Sequence, residues 1–257
     1  MKTIGVVVWL ASGALLLAAG TGPAAAAEIK VLSAGAMKSI VTELGEAFKQ
    51  ETGHTLSMTF DTAGAQSKRL AAGEPADVVV LTDVAIEQLA GQGLVVAGSR
   101  ADIARVGIGV AVREGAPRPD IATPDALKQS LLAARSLVYL DPAGGATSGI
   151  HFAAVLQRLG IAEAVKSKTI LIPTGYAAEV VARGEADMCV HQISEILPVK
   201  GVTLVGPLPR ELQKVTIYSG GLAAKAAQPE AARAFLAFLT RPAFKSKLAA
   251  AGLDYRE

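Results

Sequence analysis

Val78-Val79-Val80-Leu81-Thr82-Asp83 sets four consecutive aliphatic side chains against a hydroxyl and a carboxylate. Such a run has no polar face, so a strand built from it must be covered on both sides, as in a parallel sheet between helical layers. Thr82-Asp83 supplies a cap for a following helix. Upstream, Ile29–Leu32 reads as a strand. Ile40, Leu44, Ala47 and Phe48 recur at helical spacing up to Gly53, Thr55–Phe60 alternates as a strand, and Ala65–Ala72 is a helix closed by Gly73. Strands separated by single helices predict an α/β chain.

Downstream, Arg105–Val112 is an apolar strand that leads into the polar, proline-rich stretch Arg113–Asp120, where the chain is expected to cross into a second lobe. The pattern then restarts. Helices are expected at Ala126–Ala134, Gly149–Leu159 and Ala177–Arg183, and strands at Leu137–Leu140, Thr169–Ile172 and Ala186–Val190. Val215–Leu222 is a second crossing strand, followed by closing helices at Pro229–Leu239 and Ala243–Ala251. The expected organisation is one lobe from residues 28–110 and 214–257, with residues 111–213 inserted as the other.

The N-terminus carries a separate signal. Lys2 precedes the uncharged, mostly apolar run Ile4–Ala19. Thr21-Gly22-Pro23 breaks it, and Ala24-Ala25-Ala26-Ala27 offers small residues to a peptidase. This is the order of a secretory leader, and the run is short for a membrane span of roughly 20 apolar residues. Cleavage is expected before Glu28, with residues 1–27 as signal peptide, a periplasmic location and no stable membrane insertion afterwards. The 257-residue chain has a formal charge of +2. Near-neutrality argues against nucleic acid as a partner. Cys189 is the lone cysteine and lies in an apolar strand pattern, the setting of an inert core thiol. Zinc-ligand spacing, a Walker loop, G-x-G-x-x-G and G-x-S-x-G are all missing from the sequence. No metal and no cofactor is called for.

Open α/β sheets bind ligands beyond the carboxyl ends of their strands. Four such ends carry small or hydroxyl residues: Ser33–Lys38, Asp61–Gly64, Asp141–Gly149 and Pro173–Tyr176. Each leads into a helix whose first N–H groups and dipole favour an anion, and small side chains allow close approach. The candidate ligand contacts are Gly35, Ala36, Lys38, Thr62, Ala63, Gly64, Thr147, Ser148, Gly175 and Tyr176. His191 and Gln192 join them because they end an apolar strand. Together they predict a small-anion cleft in a monomer.

Val31-Leu32-Ser33-Ala34-Gly35-Ala36, Ala72-Gly73-Glu74-Pro75-Ala76-Asp77-Val78, Asp141-Pro142 with Gly149-Ile150, and Leu156–Gly160 resemble the ModA-like family of periplasmic substrate-binding proteins. The resemblance implies a type II periplasmic-binding-protein fold, in which two parallel-sheet lobes joined by two crossing strands close on an oxyanion. It also implies an ABC permease as partner. In molybdate binders of the family, serines on the first two loops and a tyrosine after the late strand contact the oxyanion. Those places fall at Ala36, in Thr62-Ala63-Gly64, and at His191. The loss of hydroxyls and gain of an imidazole point to a di- or tricarboxylate rather than molybdate. Val190–Ile196 with Thr62–Ala65 resembles the aconitate isomerase branch, which implies a cofactor-free isomerase with His191, then Lys38, as candidate base. The leading reading at this point is a receptor for a small di- or tricarboxylate, with the isomerase as the alternative and a sensor subunit delivering ligand to a membrane kinase as a third.

Overall fold

The computed structural model describes residues 26–255; up to residue 25, the expected leader lies outside them. Two sheets organise the chain. The first lobe contributes β1 (Glu28–Ala34), α1 (Lys38–Thr52), β2 (Thr55–Asp61), α2 (Ala63–Ala71), β3 (Val78–Thr82), α3 (Asp83–Gly91) and β4 (Ala101–Val106). The chain then forms β5 (Ile108–Arg113), α4 (Pro124–Ala133), β6 (Leu137–Leu140), α5 (Thr147–Arg158), α6 (Ala162–Lys166), β7 (Thr169–Ile172), α7 (Ala177–Ala182), β8 (Met188–Gln192), α8 (Ile193–Ile196) and β9 (Val202–Pro207). It returns through β10 (Thr216–Leu222), α9 (Pro229–Leu239), α10 (Lys245–Ala250) and β11 (Asp254–Tyr255). The sheet orders are β11-β4-β10-β3-β1-β2 and β7-β6-β8-β5-β9.

Both sheets are mixed, where the sequence pattern suggested parallel ones. β2-β1-β3 and β7-β6-β8 are parallel, as strands linked through helices must be. β10 runs antiparallel to β3 and β4, and β5 antiparallel to β8 and β9. These are the strands that carry the chain between sheets, so they enter in the opposite sense. The single apolar run Arg105–Val112 is in fact two strands, one in each sheet, parted at Gly107.

Val78–Leu81 is fully buried, as its composition demands. The aromatic rings of Phe48, Phe235 and Phe238 pack α1 on α9, with Phe48 centred 5.1 and 5.3 Å from the other two. Buried Asp77 explains the Pro-Ala-Asp element in local terms. Its Oδ2 accepts from Lys30 N at 2.8 Å and its Oδ1 from Gln228 N at 2.8 Å, tying β1 to the start of α9. Losing the carboxylate would strand two N–H groups, at about 1–3 kcal/mol each. Among the described residues, no helix is long and apolar enough to cross a membrane.

Candidate functional site

β1 and β2 are in register from Glu28↔Thr55 to Ala34↔Asp61, so their carboxyl ends emerge together. β6 and β7 likewise end in register at Leu140↔Ile172. Between these edges lies a cavity of about 240 Å³. The first lobe lines it with Gly35, Lys38, Phe60, Asp61 and Thr62, the second with Leu140, Thr174, Gly175, Tyr176, Glu179 and Glu195. A larger hollow of about 610 Å³ lies elsewhere, around Val112, Pro117 and Met188, and shares none of these residues.

The lobes touch directly. Thr62 Oγ1 donates to Gly144 O at 2.6 Å, Gly64 N to Gly145 O at 3.2 Å, and Thr174 Oγ1 to Asp61 Oδ1 at 2.9 Å. Lys38 Nζ lies 5.9 Å from the Phe60 ring centroid and 5.7 Å from that of Tyr176, within reach of cation–π attraction from both lobes. Burial, and then the charges of Glu195 and Glu179, push the Tyr176 phenol up from its ordinary value, so it stays a neutral donor.

Glu195 forms the most constrained part of the wall. Its side chain is 7% exposed, and Oε2 lies 2.9 Å from Nδ1 of His191, which is wholly buried. The contact is a hydrogen bond when Nδ1 carries a proton and Oε2 accepts it. Gln192 N lies 2.8 Å from the same Nδ1, and Nε2 lies 3.4 Å from Gly175 O. On the other side, a Cβ at Gly35 would sit 2.8 Å from Glu195 Oε1, so glycine makes room for the carboxylate. The cavity therefore sets Lys38 against three carboxylates. Asp61 is tied by Thr62 N at 2.7 Å, by Thr174 and by Arg69 at 3.8 Å, while Glu179 is exposed.

Of the expected contacts, Gly35, Lys38, Thr62, Gly175 and Tyr176 line the cavity. The Thr62 hydroxyl, expected to face a ligand, is spent on Gly144 O and on Ala65 N, which it caps at 3.0 Å. Ala63, Gly64 and Thr147 line a separate hollow of about 520 Å³ beyond the Gly64–Gly145 contact. Ala36, Ser148, His191 and Gln192 are buried and are not among the cavity's wall residues. Gln192 Nε2 instead donates to Tyr218 OH at 3.4 Å, and Tyr218 also bonds the Thr147 side chain. Sequence reading missed Phe60, Leu140, Glu179 and Glu195 as wall residues, and named the loops of Asp61 and Thr174 without choosing those two. Glu195 follows the strand end at His191-Gln192 by three residues, in the short helix that opens there, and that nearness to a strand end was the available signal.

The sequence matches the model of the bacterial extracellular solute-binding protein family over residues 29–254. It is 40% identical over 240 residues to an aconitate isomerase from a Pseudomonas species, covering 90% of this chain and 89% of that one. It is 27% identical over 238 residues to the molybdate-binding protein ModA of Rhodobacter capsulatus, covering 91% and 92%. The fold matches the periplasmic molybdate-binding protein of Azotobacter vinelandii with a TM-score of 0.76 at 20% identity, over 89% of this chain and all of the other.

Proposed function

The chain belongs to the bacterial extracellular solute-binding proteins, and from that premise we propose that it acts in the periplasm as a cofactor-free isomerase, interconverting cis- and trans-aconitate. The observation that carries this reading is Glu195, which lines a cavity of about 240 Å³ and is backed by the buried His191 at 2.9 Å. A carboxylate beside a polycarboxylate weakens binding in either reading, because like charges repel, so its place in the wall is accounted for by proton transfer and not by affinity. A proton-transfer catalyst needs such a group. The 40% identity to an aconitate isomerase supports the same choice.

The reaction is an allylic proton shift. A proton leaves the substrate's methylene carbon, the double bond moves, and a proton returns at the former vinylic carbon. Developing enolate-like charge is met by the Lys38 ammonium and the neutral Tyr176 hydroxyl, donors that act most strongly where water is excluded.

A second reading, a receptor handing a small polycarboxylate to an ABC permease, is favoured by the hydrogen bonds joining the two lobes across the cleft. One experiment separates the two. Purified protein without added metal or nucleotide is incubated with trans-aconitate, followed by ultraviolet absorbance and chromatographic separation of the isomers. In parallel, melting is recorded with aconitate and with molybdate, since a ligand bound only by the folded state raises Tm. Conversion, with a Tm rise for aconitate larger than for molybdate, is the expected result. A Tm rise without conversion removes the isomerase and leaves the receptor.

A further inference from the structure

We propose that Glu195, not His191, carries the proton in this reaction, and that His191 is its positioning residue; the inference rests on the isomerase reading above. Glu195 is the member of the pair that reaches the cavity. Its Oε1 faces the gap left by Gly35, while Oε2 is held 2.9 Å from His191 Nδ1. His191 has no exposed surface, and both ring nitrogens face protein: Nδ1 toward Gln192 N and Glu195, Nε2 toward Gly175 O. Glu195 and Gly175, the partners of the two ring nitrogens, line the cavity, and the imidazole does not. A general base must come within hydrogen-bond reach of the proton it takes, and of this pair the carboxylate is the member that lines the cavity.

The step balances within the protein and substrate. The methylene C–H bond breaks, its electron pair enters the conjugated system, and the proton forms an O–H bond on Glu195. The far carbon then takes that proton with the electron pair of the original double bond, the pair from the broken C–H bond remains as the new double bond, and Glu195 returns to the carboxylate. The ring of His191 stops the carboxyl from turning away between the two transfers, holding one oxygen while the other reaches both carbons.

The experiment compares Glu195→Gln, His191→Ala and His191→Asn with the active wild-type protein, scoring kcat, KM and retention of trans-aconitate binding by calorimetry. Wild-type inactivity would end the isomerase reading itself, before any variant is made. With active wild type, Glu195→Gln is expected to lower kcat by roughly 10²–10⁴-fold while still binding aconitate. His191→Ala is expected to lower kcat by about a hundredfold with KM little changed, the scale of a misplaced reacting group. His191→Asn can present an amide near the place of Nδ1, and is expected to restore part of that loss; a residue needed only for packing would show no such rescue. If Glu195→Gln does not fold, Glu195→Asp replaces it. Aspartate keeps the carboxylate but draws it back by one methylene, so kcat should fall with the fold intact. Near wild-type kcat in a folded Glu195 variant overturns the proposal. So does a larger loss in His191→Ala than in Glu195→Gln, since the imidazole would then be the base.

Discussion

Gly35 is required by its neighbour across the cleft, not by its own backbone. A Cβ there would meet Glu195 Oε1 at 2.8 Å, closer than such atoms approach. Gly35→Ala is therefore expected to push the carboxylate aside while the first lobe stays intact. Turnover should fall about a hundredfold, the cost of displacing a reacting group by roughly an ångström, and Tm should change little. Steady-state kinetics alongside a melting curve check this, and unchanged kcat would show that Glu195 has room to move. Cys189 illustrates the opposite case, a residue whose environment silences it. Burial pushes its thiol up to about 12, so the thiolate that would react is not populated near neutral pH.

Single contacts fix how elements meet. The segment ahead of β6 is tied to the start of β8 by Arg135, whose guanidinium donates to both oxygens of Asp187, through NH2 at 2.8 Å and Nε at 3.1 Å. Arg135 N and Ser136 Oγ join the same corner, the latter accepting from Asp187 N. The Arg135 hydrogen bond holds the Asp187 carboxyl below its ordinary value of 3.8. A carboxyl lowered by folding stabilises the protein above its unfolded pKa and loses that contribution as pH falls through the folded one. The Tm difference between wild type and Asp187→Asn should thus be present at neutral pH and shrink as pH falls below about 4. Melting curves from pH 7 to 2 measure it. A difference that stayed constant across that range would assign the stabilisation to packing. The pair is partly exposed, so the effect is small.

At the scale of the whole molecule, the contact between lobes depends on two glycines. Gly64 N donates to Gly145 O, and a Cβ on Gly64 would lie 2.7 Å from Gly145 Cα. Backbone against backbone leaves no flexible atom to yield. Gly64→Ala is expected to leave each lobe folded while preventing this approach. Aconitate binding should then weaken at least about tenfold, because ligand affinity is drawn from closure. Small-angle scattering with and without aconitate, beside calorimetry, tests it: wild type should compact on binding and the variant should not. Equal compaction would show that the cleft closes elsewhere.

The amino-acid sequence by itself determined the α/β architecture. Val78–Leu81 has no polar face, and the strand and helix periods around it admit only covered sheets. It also pointed to strand-end loops, because small residues there are local features, and five of the twelve residues chosen that way line the cavity. Two things were decided only by tertiary structure. β10 and β5 run against their neighbours because the chain must pass between sheets, a demand no local period carries. The roles within His191–Glu195 were also invisible locally. Their spacing does not say which one is exposed; the strand position of His191 beside Gly175 and Gln192 buries the imidazole, and the glycine at position 35 leaves room for the carboxylate that lines the cavity.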